Sequence, residues 1–389
     1  MCATILPNHL LCNFMQAITT ILHYIAGFHA CQVFYGHLLL FFIEYGVMIK
    51  SSSMGEIARI AGVSISTVSR VLNEKPGISP ETRKRVLDIY KDIITSSGIT
   101  DRHPITGKTH TIGQILHRKY LSTEYYTSFQ NTIGIHEIAQ RVGYHLLTAL
   151  ITDEDMDKEL QLPMIKEKKV DGIIFMGSQI ESSFIHDAAK SGIPIVLIDN
   201  KLKEKELDCV LDENEGSVYE LTQHLIQKHN HSNIVFLSGP KAWIISRERE
   251  TGYRLAMEKA SLQSKIIYMP ETTLESGFNA MKKVVEEFPE ITAVVAVNDS
   301  VAKGSIYACR EMGYPVPGKI AVVGFGDTAC ANLFSPPLTT VQTFAEEIGK
   351  KAAARLIDLI ESEADREHIP LTLRLPTRMI FRGSCGCAP

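Results

Sequence analysis

The sequence predicts an α/β fold with two lobes, each a parallel sheet with helices on both faces, preceded by a small all-α helix-turn-helix headpiece. Residues 54–73 place apolar groups at helical spacing around a glycine. From residue 111, short apolar strands alternate with amphipathic helices in two successive rounds. A length of 389 residues also fits two or three folding units better than one core.

The headpiece is predicted from two short helices joined at Gly62, where the chain must turn. Small or apolar residues form their inner faces: Ile57, Ala58, Ala61, Val63, Val68 and Val71. Such a unit lays its second helix in the major groove of DNA, and Ser64 is the expected N-cap of that helix. A helical hairpin inside a larger core is the alternative interpretation. The residues expected at the DNA are Ser64, Ile65, Ser66, Thr67, Ser69, Arg70 and Asn73.

The charge distribution indicates a polyanionic partner. The net charge of −4 conceals an asymmetry, because residues 48–111 hold ten Lys and Arg against six Asp and Glu, whereas residues 1–47 hold Glu44 alone. Basic groups beside a groove-reading helix neutralise phosphates and release counterions. The candidate phosphate contacts are Lys75, Arg83, Lys84, Arg85 and Lys91. A helix with a solvated basic face would give the same pattern.

The two lobes are predicted from the alternation of strands and helices. In the first lobe, strands are expected at residues 111–117, 145–151, 171–176 and 193–199, and helices at residues 126–141, 156–168 and 182–191. In the second lobe, strands are expected at residues 233–238, 265–269, 292–297 and 320–325. Ligands of such sheets bind beyond the carboxyl ends of the strands, so we expect a binding cleft between the lobes.

Several motifs recur in a known order along the chain. They are EIARIAGVSISTVSRVLN and SPETRKRVL in the headpiece, followed by RETGYRLAM, VPGKIAVVGFGD and PPLTTVQ. By these motifs the chain resembles the lactose and galactose repressor family of bacterial transcription regulators, over residues 54 to about 383. The resemblance implies a periplasmic-binding-protein-like sensor and a homodimer. It also implies that an effector in the cleft favours a closed arrangement of the lobes.

Four residues are candidate effector contacts: Tyr125, Tyr126, Arg249 and Asp299. Asp299 follows a predicted strand, where its carboxylate would accept hydrogen bonds from vicinal hydroxyls. Arg249 matches a family arginine that contacts the effector, and its planar fork suits paired hydroxyls or a carboxylate. Tyrosines after the first strand would stack on a sugar ring. As alternatives, Asp299 caps a helix, Arg249 pairs with a neighbouring glutamate, and the tyrosines belong to the core.

Two departures limit what the resemblance implies. The predicted hinge, residues 96–110, is shorter than in the family, and its Pro104 opposes a helix. Ile105 is the candidate for an apolar wedge that inserts into the DNA minor groove. Gly326 stands where family members commonly carry an acidic residue. The identity of the effector therefore does not follow from the best-known sugars of the family.

Residues 1–47 combine long apolar runs with a complete lack of Lys and Arg. We favour a misread start, with Met48 as the first residue of the native chain. A membrane anchor is the alternative, because residues 31–49 are nearly long enough to span a bilayer. The predicted domains are this extension, a DNA-binding domain at residues 48–95, the hinge at residues 96–110, and an effector-binding and dimerisation domain at residues 111–389.

Neither a metal nor a catalytic site is expected. The eight cysteines show no repeating interval, which favours reduced thiols over a disulfide framework. Cys385 and Cys387 make a poor metal site without a nearby histidine cluster. The sequence contains no phosphate-binding glycine loop and no nucleophile elbow. His229 and His231 are expected to close a helix, so we predict no catalytic residues, no metal and no cofactor.

These features predict a cytoplasmic, homodimeric transcription regulator, and specifically a repressor. Its expected partners are double-stranded operator DNA and a small effector, a sugar, with no membrane if Met48 is the true start. The alternative is a membrane-anchored solute-binding protein for sugars, which would share the two lobes. That class has no DNA-reading helix, so residues 54–73 decide against it.

Overall fold

The structure is a computed structural model that describes residues 54–72, 75–96, 108–121, 126–157, 162–202, 207–329, 331–362 and 368–387. The chain divides into two compact units between Ile105 and Thr106, and each is described by itself. The expectations for residues 1–47, Asn73, Ile105 and Tyr125 lie outside the described residues. Among the described residues, no helix is both long enough and apolar enough to cross a membrane.

The first unit contains a three-helix headpiece made of α1 (Met54–Ala61), α2 (Ile65–Leu72) and α3 (Pro80–Ser96). Its core consists of Ile57, Ala58, Ala61, Val68, Val71 and Val86. Gly62 links α1 to α2 with a φ of +64°, a left-handed conformation that glycine adopts without a steric penalty. The predicted helix-turn-helix is therefore confirmed.

The second unit alternates strands and helices. Its described strands are β1 (Thr111–His117), β2 (His145–Ile151), β3 (Gly172–Met176), β4 (Ile195–Ile198), β5 (Asp208–Asp212), β6 (Ile234–Ser238), β7 (Lys265–Tyr268), β8 (Ala293–Ala296), β9 (Ala321–Val323), β10 (Thr340–Gln342), β11 (Thr372–Leu375) and β12 (Arg378–Ile380). Its described helices are α4 (Tyr126–Arg141), α5 (Asp153–Met156), α6 (Pro163–Lys166), α7 (Ser182–Ala189), α8 (Asn214–His229), α9 (Ile244–Lys259), α10 (Leu274–Glu287), α11 (Asp299–Glu311) and α12 (Ala345–Glu361).

Two parallel sheets define two lobes. The first lobe is built on a six-stranded sheet with the order β11-β5-β4-β3-β1-β2, and the second on a four-stranded sheet with the order β7-β6-β8-β9. β10 and β12 form a separate antiparallel pair. The strands β3, β6 and β8 are buried on both faces, which is why the sequence shows them as continuous apolar runs.

The first lobe is completed by the C-terminal part of the chain. α12 packs on the first sheet, where Ile348, Ala352 and Leu356 share a core with Ile112 and Ile174. β11 then pairs with β5 at the edge of the same sheet. The arrangement therefore differs from two halves in simple series, because the chain returns from the second lobe to the first.

Residues 156–168, predicted as one helix, instead contain parts of two single-turn helices, α5 and α6. Pro163 occupies the first position of α6. Proline has no amide N–H to donate and clashes with the preceding turn, so it starts a helix well and interrupts one that is already formed. The periodic apolar pattern across this segment concealed that break.

Candidate functional site

The outward face of α2 carries most of the residues predicted to contact DNA. Ile65, Ser66 and Arg70 are exposed, and Thr67 and Ser69 are half-buried. Ser64 Oγ accepts a hydrogen bond from the backbone N–H of Thr67 at 3.1 Å, so the predicted N-cap is confirmed. α2 therefore presents hydroxyl groups, one apolar side chain and one guanidinium on a single exposed face.

The basic residues of the headpiece divide into two groups. Arg83 donates hydrogen bonds to the carbonyl oxygens of Val71 at 3.2 Å and Lys75 at 2.8 Å. These hydrogen bonds connect α3 to the end of α2, so the guanidinium of Arg83 stabilises the headpiece. Lys84 and Arg85 lie exposed on α3, and their role as phosphate contacts stays a prediction. The side chain of Lys91 is not among those described.

A cavity of about 80 Å³ lies between the two lobes, at the carboxyl ends of their strands. The first lobe lines it with Asn131, Gln179, Asp199, Asp212, Ala345 and Ile348, and the second with Trp243, Ile245, Arg249, Thr272, Asn298, Asp299, Ser300, Phe325, Gly326 and Thr328. The predicted position of the binding cleft is thus matched by a cavity. We call its two sides the first-lobe wall and the second-lobe wall.

The first-lobe wall presents unsatisfied acceptors. Within the described part of the chain, four buried oxygens of this wall have no hydrogen-bond partner: Asn131 Oδ1, Gln179 Oε1, Asp199 Oδ1 and Asp212 Oδ1. Burial raises the pKa of both aspartates, against the opposing effect of Arg249, and Asp199 raises the pKa of Asp212 further. A buried polar group without a partner costs free energy, so this wall favours a ligand with several hydrogen-bond donors.

Arg249 on the second-lobe wall is held in place by three contacts. Its Nε donates to Asn214 Oδ1 at 2.8 Å and its Nη1 donates to the carbonyl of Val297 at 2.6 Å. The guanidinium carbon lies 3.6 Å from the ring centroid of Phe325, a cation–π contact. The structure does not show the alternative, an ion pair with a neighbouring glutamate, because Glu248 pairs with Arg374 and Glu250 pairs with Arg254.

Asp299 lies next to Arg249 on the second-lobe wall and is 1% exposed. Its Oδ1 accepts a hydrogen bond from Thr340 Oγ1 at 2.5 Å, and its Oδ2 accepts one from the backbone N–H of Thr328 at 2.7 Å. Burial raises the pKa of this carboxyl, and the two threonines lower it. The N-cap of α11 is Asn298, whose side chain accepts from Val301 N–H, so Asp299 itself is not the cap.

The structure brings Arg249 and Asp299 together in the cavity and adds residues that sequence analysis missed. Asp199 is the last residue of the strand predicted at residues 193–199, so its place at the cleft could have been predicted from sequence. Asp212 ends β5, which carries an aspartate at both ends and was not recognised as a strand. Trp243 lies outside the predicted elements. Tyr126 begins α4, but its side chain is not among those described.

The C-terminal thiols have histidine neighbours. The ligand atoms of His224, His229, Cys385 and Cys387 all lie within 4.8 Å of one another. The expectation that no histidine cluster lies near these thiols is therefore wrong. The fold joins residues separated by about 160 positions, which spacing in the sequence does not reveal.

Comparison with known proteins matches both units. Residues 53–93 match the family model of bacterial regulatory proteins, lacI family, and residues 109–380 match that of periplasmic binding proteins and the sugar binding domain of the LacI family. Catabolite control protein A of Priestia megaterium is 31% identical over 333 residues, covering 85% of this chain and 98% of the relative. The HTH-type transcriptional regulator DegA of Bacillus subtilis is 32% identical over 337 residues, covering 85% and 96%.

Solved structures show the same fold. The transcriptional regulator CelR in complex with cellobiose aligns with a TM-score of 0.64 at 25% identity, covering 86% of this chain and 100% of that one. The lac repressor dimer bound to operator aligns with a TM-score of 0.64 at 22% identity, covering 86% and 99%.

Proposed function

This chain belongs to the lacI family of bacterial regulatory proteins and is a transcription regulator, and we propose that a sugar between its lobes controls its affinity for operator DNA. The observation that carries the proposal is the first-lobe wall with its four unpartnered acceptor oxygens. A sugar or related polyol offers several hydroxyl donors on one molecule, which matches that wall. The sugar complex solved for the relative CelR supports the same ligand class.

The effector contacts that we propose lie on both walls. On the second-lobe wall they are Arg249 and Asp299, which were proposed from sequence, and on the first-lobe wall they are the acceptors Asp199 and Asp212. A carboxylate has about four lone-pair positions, so Asp299 retains capacity beyond its two threonine bonds. Tyr125 and Tyr126 remain proposals from sequence, while Trp243 offers a described aromatic face for a sugar ring.

Binding of the effector is expected to couple to the arrangement of the lobes. A cavity of about 80 Å³ is smaller than the roughly 300 Å³ at the lower end of ligand pockets, so entry of a sugar requires the walls to move apart. Among the described residues, two ion pairs connect the lobes, Lys119–Glu271 at 2.9 Å and Arg374–Glu248 at 2.5 Å. A ligand that interacts differently with the open and closed arrangements shifts the balance between them.

We propose that the regulator is a homodimeric, cytoplasmic repressor without enzymatic activity. One headpiece reads few base pairs, and two-fold symmetry matches a palindromic operator. α4 and β2 leave Phe129, Ile133, Leu147 and Leu150 exposed in the monomer, and such a set of apolar side chains suits an interface between two copies. The proposed DNA contacts are those of α2 together with Asn73 and Ile105.

The single tryptophan of the chain provides a direct test of the effector class, because Trp243 lines the cavity. Titration of the full chain with a panel of sugars and polyols should change its tryptophan fluorescence saturably for at least one member. The same compound should shift the concentration of protein needed to retard operator DNA selected from a random-sequence pool. A compound class without hydroxyl groups that saturates the signal instead would contradict the proposal.

Arg70→Ala tests the reading helix. Because arginine is the side chain best suited to guanine O6 and N7, the variant should lose about 1 to 3 kcal/mol of binding free energy on the selected operator. Its affinity for random DNA should hardly change, and Arg59→Ala on α1 serves as the exposed-arginine control. An equal loss on random DNA would identify Arg70 as a phosphate contact.

A further inference from the structure

Four metal-binding side chains meet where the C-terminal segment passes the end of α8. His224 and His229 come from α8, and Cys385 and Cys387 come from the segment that follows β12. Each residue offers one ligand atom, and all four atoms lie within 4.8 Å of one another. Neither DNA binding nor the effector cavity uses any of them.

Four of the six distances between these atoms are close to those expected around one tetrahedral ion. Zinc bonds of about 2.0 to 2.1 Å to nitrogen and about 2.3 Å to sulfur place two nitrogens about 3.3 Å apart and a nitrogen and a sulfur about 3.6 Å apart. The two histidine Nε2 atoms are 3.1 Å apart. Cys387 Sγ lies 3.5 Å from His224 Nε2 and 3.4 Å from His229 Nε2, and Cys385 Sγ lies 3.7 Å from His224 Nε2.

The surrounding structure holds the four ligands in place. Gly386 separates the cysteines with a φ of +99°, and a Cβ atom there would lie 3.4 Å from the ring of His229. The ring of His224 stacks on Phe381 at 4.3 Å between centroids. Thr339 Oγ1 lies 3.1 Å from Cys385 Sγ and 2.8 Å from the carbonyl oxygen of Arg382, so its one proton can support a thiolate at Cys385 when it turns from that carbonyl to the sulfur. Supported ligands of this kind are typical of a metal site rather than of a chance cluster.

We propose that His224, His229, Cys385 and Cys387 form a closed zinc site that fastens the C-terminal segment to α8. Two thiolates and two imidazoles are a ligand set that zinc prefers, and four protein ligands leave no position for substrate, so the role is structural. α8 begins at Asn214, which accepts the hydrogen bond from Arg249 Nε. The ion thus fixes the far end of the helix that positions Arg249 in the cavity.

The test is metal content and affinity, measured on the full chain with zinc alone. The reduced wild-type protein should retain one zinc per chain after gel filtration, and cobalt in its place should give the visible absorption of a tetrahedral thiolate complex. Cys387→Ser and His229→Gln should each weaken zinc binding more than about 100-fold, beyond the 10- to 100-fold effect of residues that only orient a ligand. His231→Gln is the matched control, because it lies two residues from His229 outside the cluster, and it should bind as the wild type does.

Three results would overturn the proposal. The first is a reduced, folded wild-type chain that retains no zinc. The second is zinc affinity that is equal in Cys387→Ser and the wild type. The third is a disulfide between Cys385 and Cys387, detected by mass, in protein purified with zinc present. Because Cys387 and His229 are only half-buried, circular dichroism should show that both variants keep their fold, so a loss of zinc is not a loss of folding.

Discussion

Asp199 and Asp299 stand on opposite walls of the same cavity, each just after a strand, yet their surroundings differ. Asp299 has a donor on each oxygen, from Thr340 and Thr328. Asp199 has an Oδ1 without a partner among the described residues and sits in the left-handed region, with a φ of 54°. The carboxylate on the second-lobe wall therefore has its hydrogen bonds within the protein, whereas the carboxylate on the first-lobe wall needs a ligand to supply a donor.

The difference indicates how the two walls divide their tasks. Groups whose hydrogen bonds are already made keep their positions without a ligand, so Arg249 and Asp299 form a preorganised surface. Unpartnered acceptors contribute most to the free energy of ligand binding. They are already desolvated in the folded protein, so a new hydrogen bond carries no further desolvation cost for them. We therefore expect substitutions on the second-lobe wall to affect stability and those on the first-lobe wall to affect binding.

The largest effect is expected for Arg249→Ala. The change removes the positive charge that stabilises the carboxylates of Asp199 and Asp212, and it leaves Asn214 Oδ1 without its hydrogen-bond donor. Loss of one partner in a buried charged cluster lowers the free energy of unfolding by about 3 to 5 kcal/mol. Urea unfolding measures it, with the exposed Arg254→Ala on the same helix as control. A loss below 1 kcal/mol would mean that the walls are not distinguished by preorganisation.

Asp299→Asn should lower the free energy of unfolding by about 1 to 3 kcal/mol. An asparagine cannot accept from both Thr340 and Thr328, so one buried donor loses its partner. Urea unfolding again supplies the measurement. If the variant keeps wild-type stability and loses only its response to sugar, Asp299 acts as a ligand contact alone, and the contrast between the walls fails.

Asp199→Asn is the matched change on the first-lobe wall. It removes a buried carboxylate that repels Asp212, so the free energy of unfolding should stay the same or rise. Binding of the sugar should weaken about 10- to 100-fold, because a hydrogen bond to a charged acceptor becomes one to a neutral amide. Tryptophan fluorescence titration reports the affinity. An unchanged affinity would remove Asp199 from the proposed contacts.

A pH dependence sharpens the comparison further. The folded protein raises the pKa of Asp212 from its ordinary value of 3.8 to about 8. Between these two pH values the folded protein therefore binds more protons than the unfolded chain. The free energy of unfolding then falls as pH rises through this window. Asp212→Asn should remove part of this pH dependence. The difference in free energy of unfolding between variant and wild type should therefore favour the variant more near pH 7.5 than near pH 5. Equal gains at both pH values would contradict the raised pKa.

The smallest effect is expected for Lys119→Ala, which removes an ion pair between the lobes. Lys119 and Glu271 are both close to half exposed, and such pairs contribute at most about 1 kcal/mol. The sugar affinity should therefore change by less than about fivefold. A larger change, measured by the same fluorescence titration, would show that the lobes are held by this pair rather than by ligand contacts on the walls.

Local sequence patterns predicted the structure correctly where the residues that determine it are close together in the sequence. Gly62, Ala58 and Val68 fix the headpiece within eleven positions, and the apolar run of β3 specifies a buried strand. Arg249 was also expected in the cleft, but from its motif rather than from its contacts. In each case the information lies within one element or its immediate flanks.

What the sequence did not reveal depends on long-range packing. Periodicity identifies α12 as amphipathic but does not say which sheet it covers. β11 leaves most of its side chains exposed, so it lacks the apolar signature of a buried strand. The unpartnered oxygens of Asn131 and Asp212 exist only because separate elements converge on the cavity. The pairing of α8 with the C-terminal thiols arises in the same way.

The return of α12 and β11 to the first lobe also sets the order in which the molecule can be completed during synthesis. The ribosome releases the N-terminus first, and the described core of the headpiece lies entirely between Ile57 and Tyr90. The first lobe, by contrast, cannot cover Ile112 and Ile174 until α12 has emerged. The nascent chain therefore carries a finished DNA-reading unit well before a finished sensor, and it exposes an apolar sheet face in the interval, a state prone to aggregation.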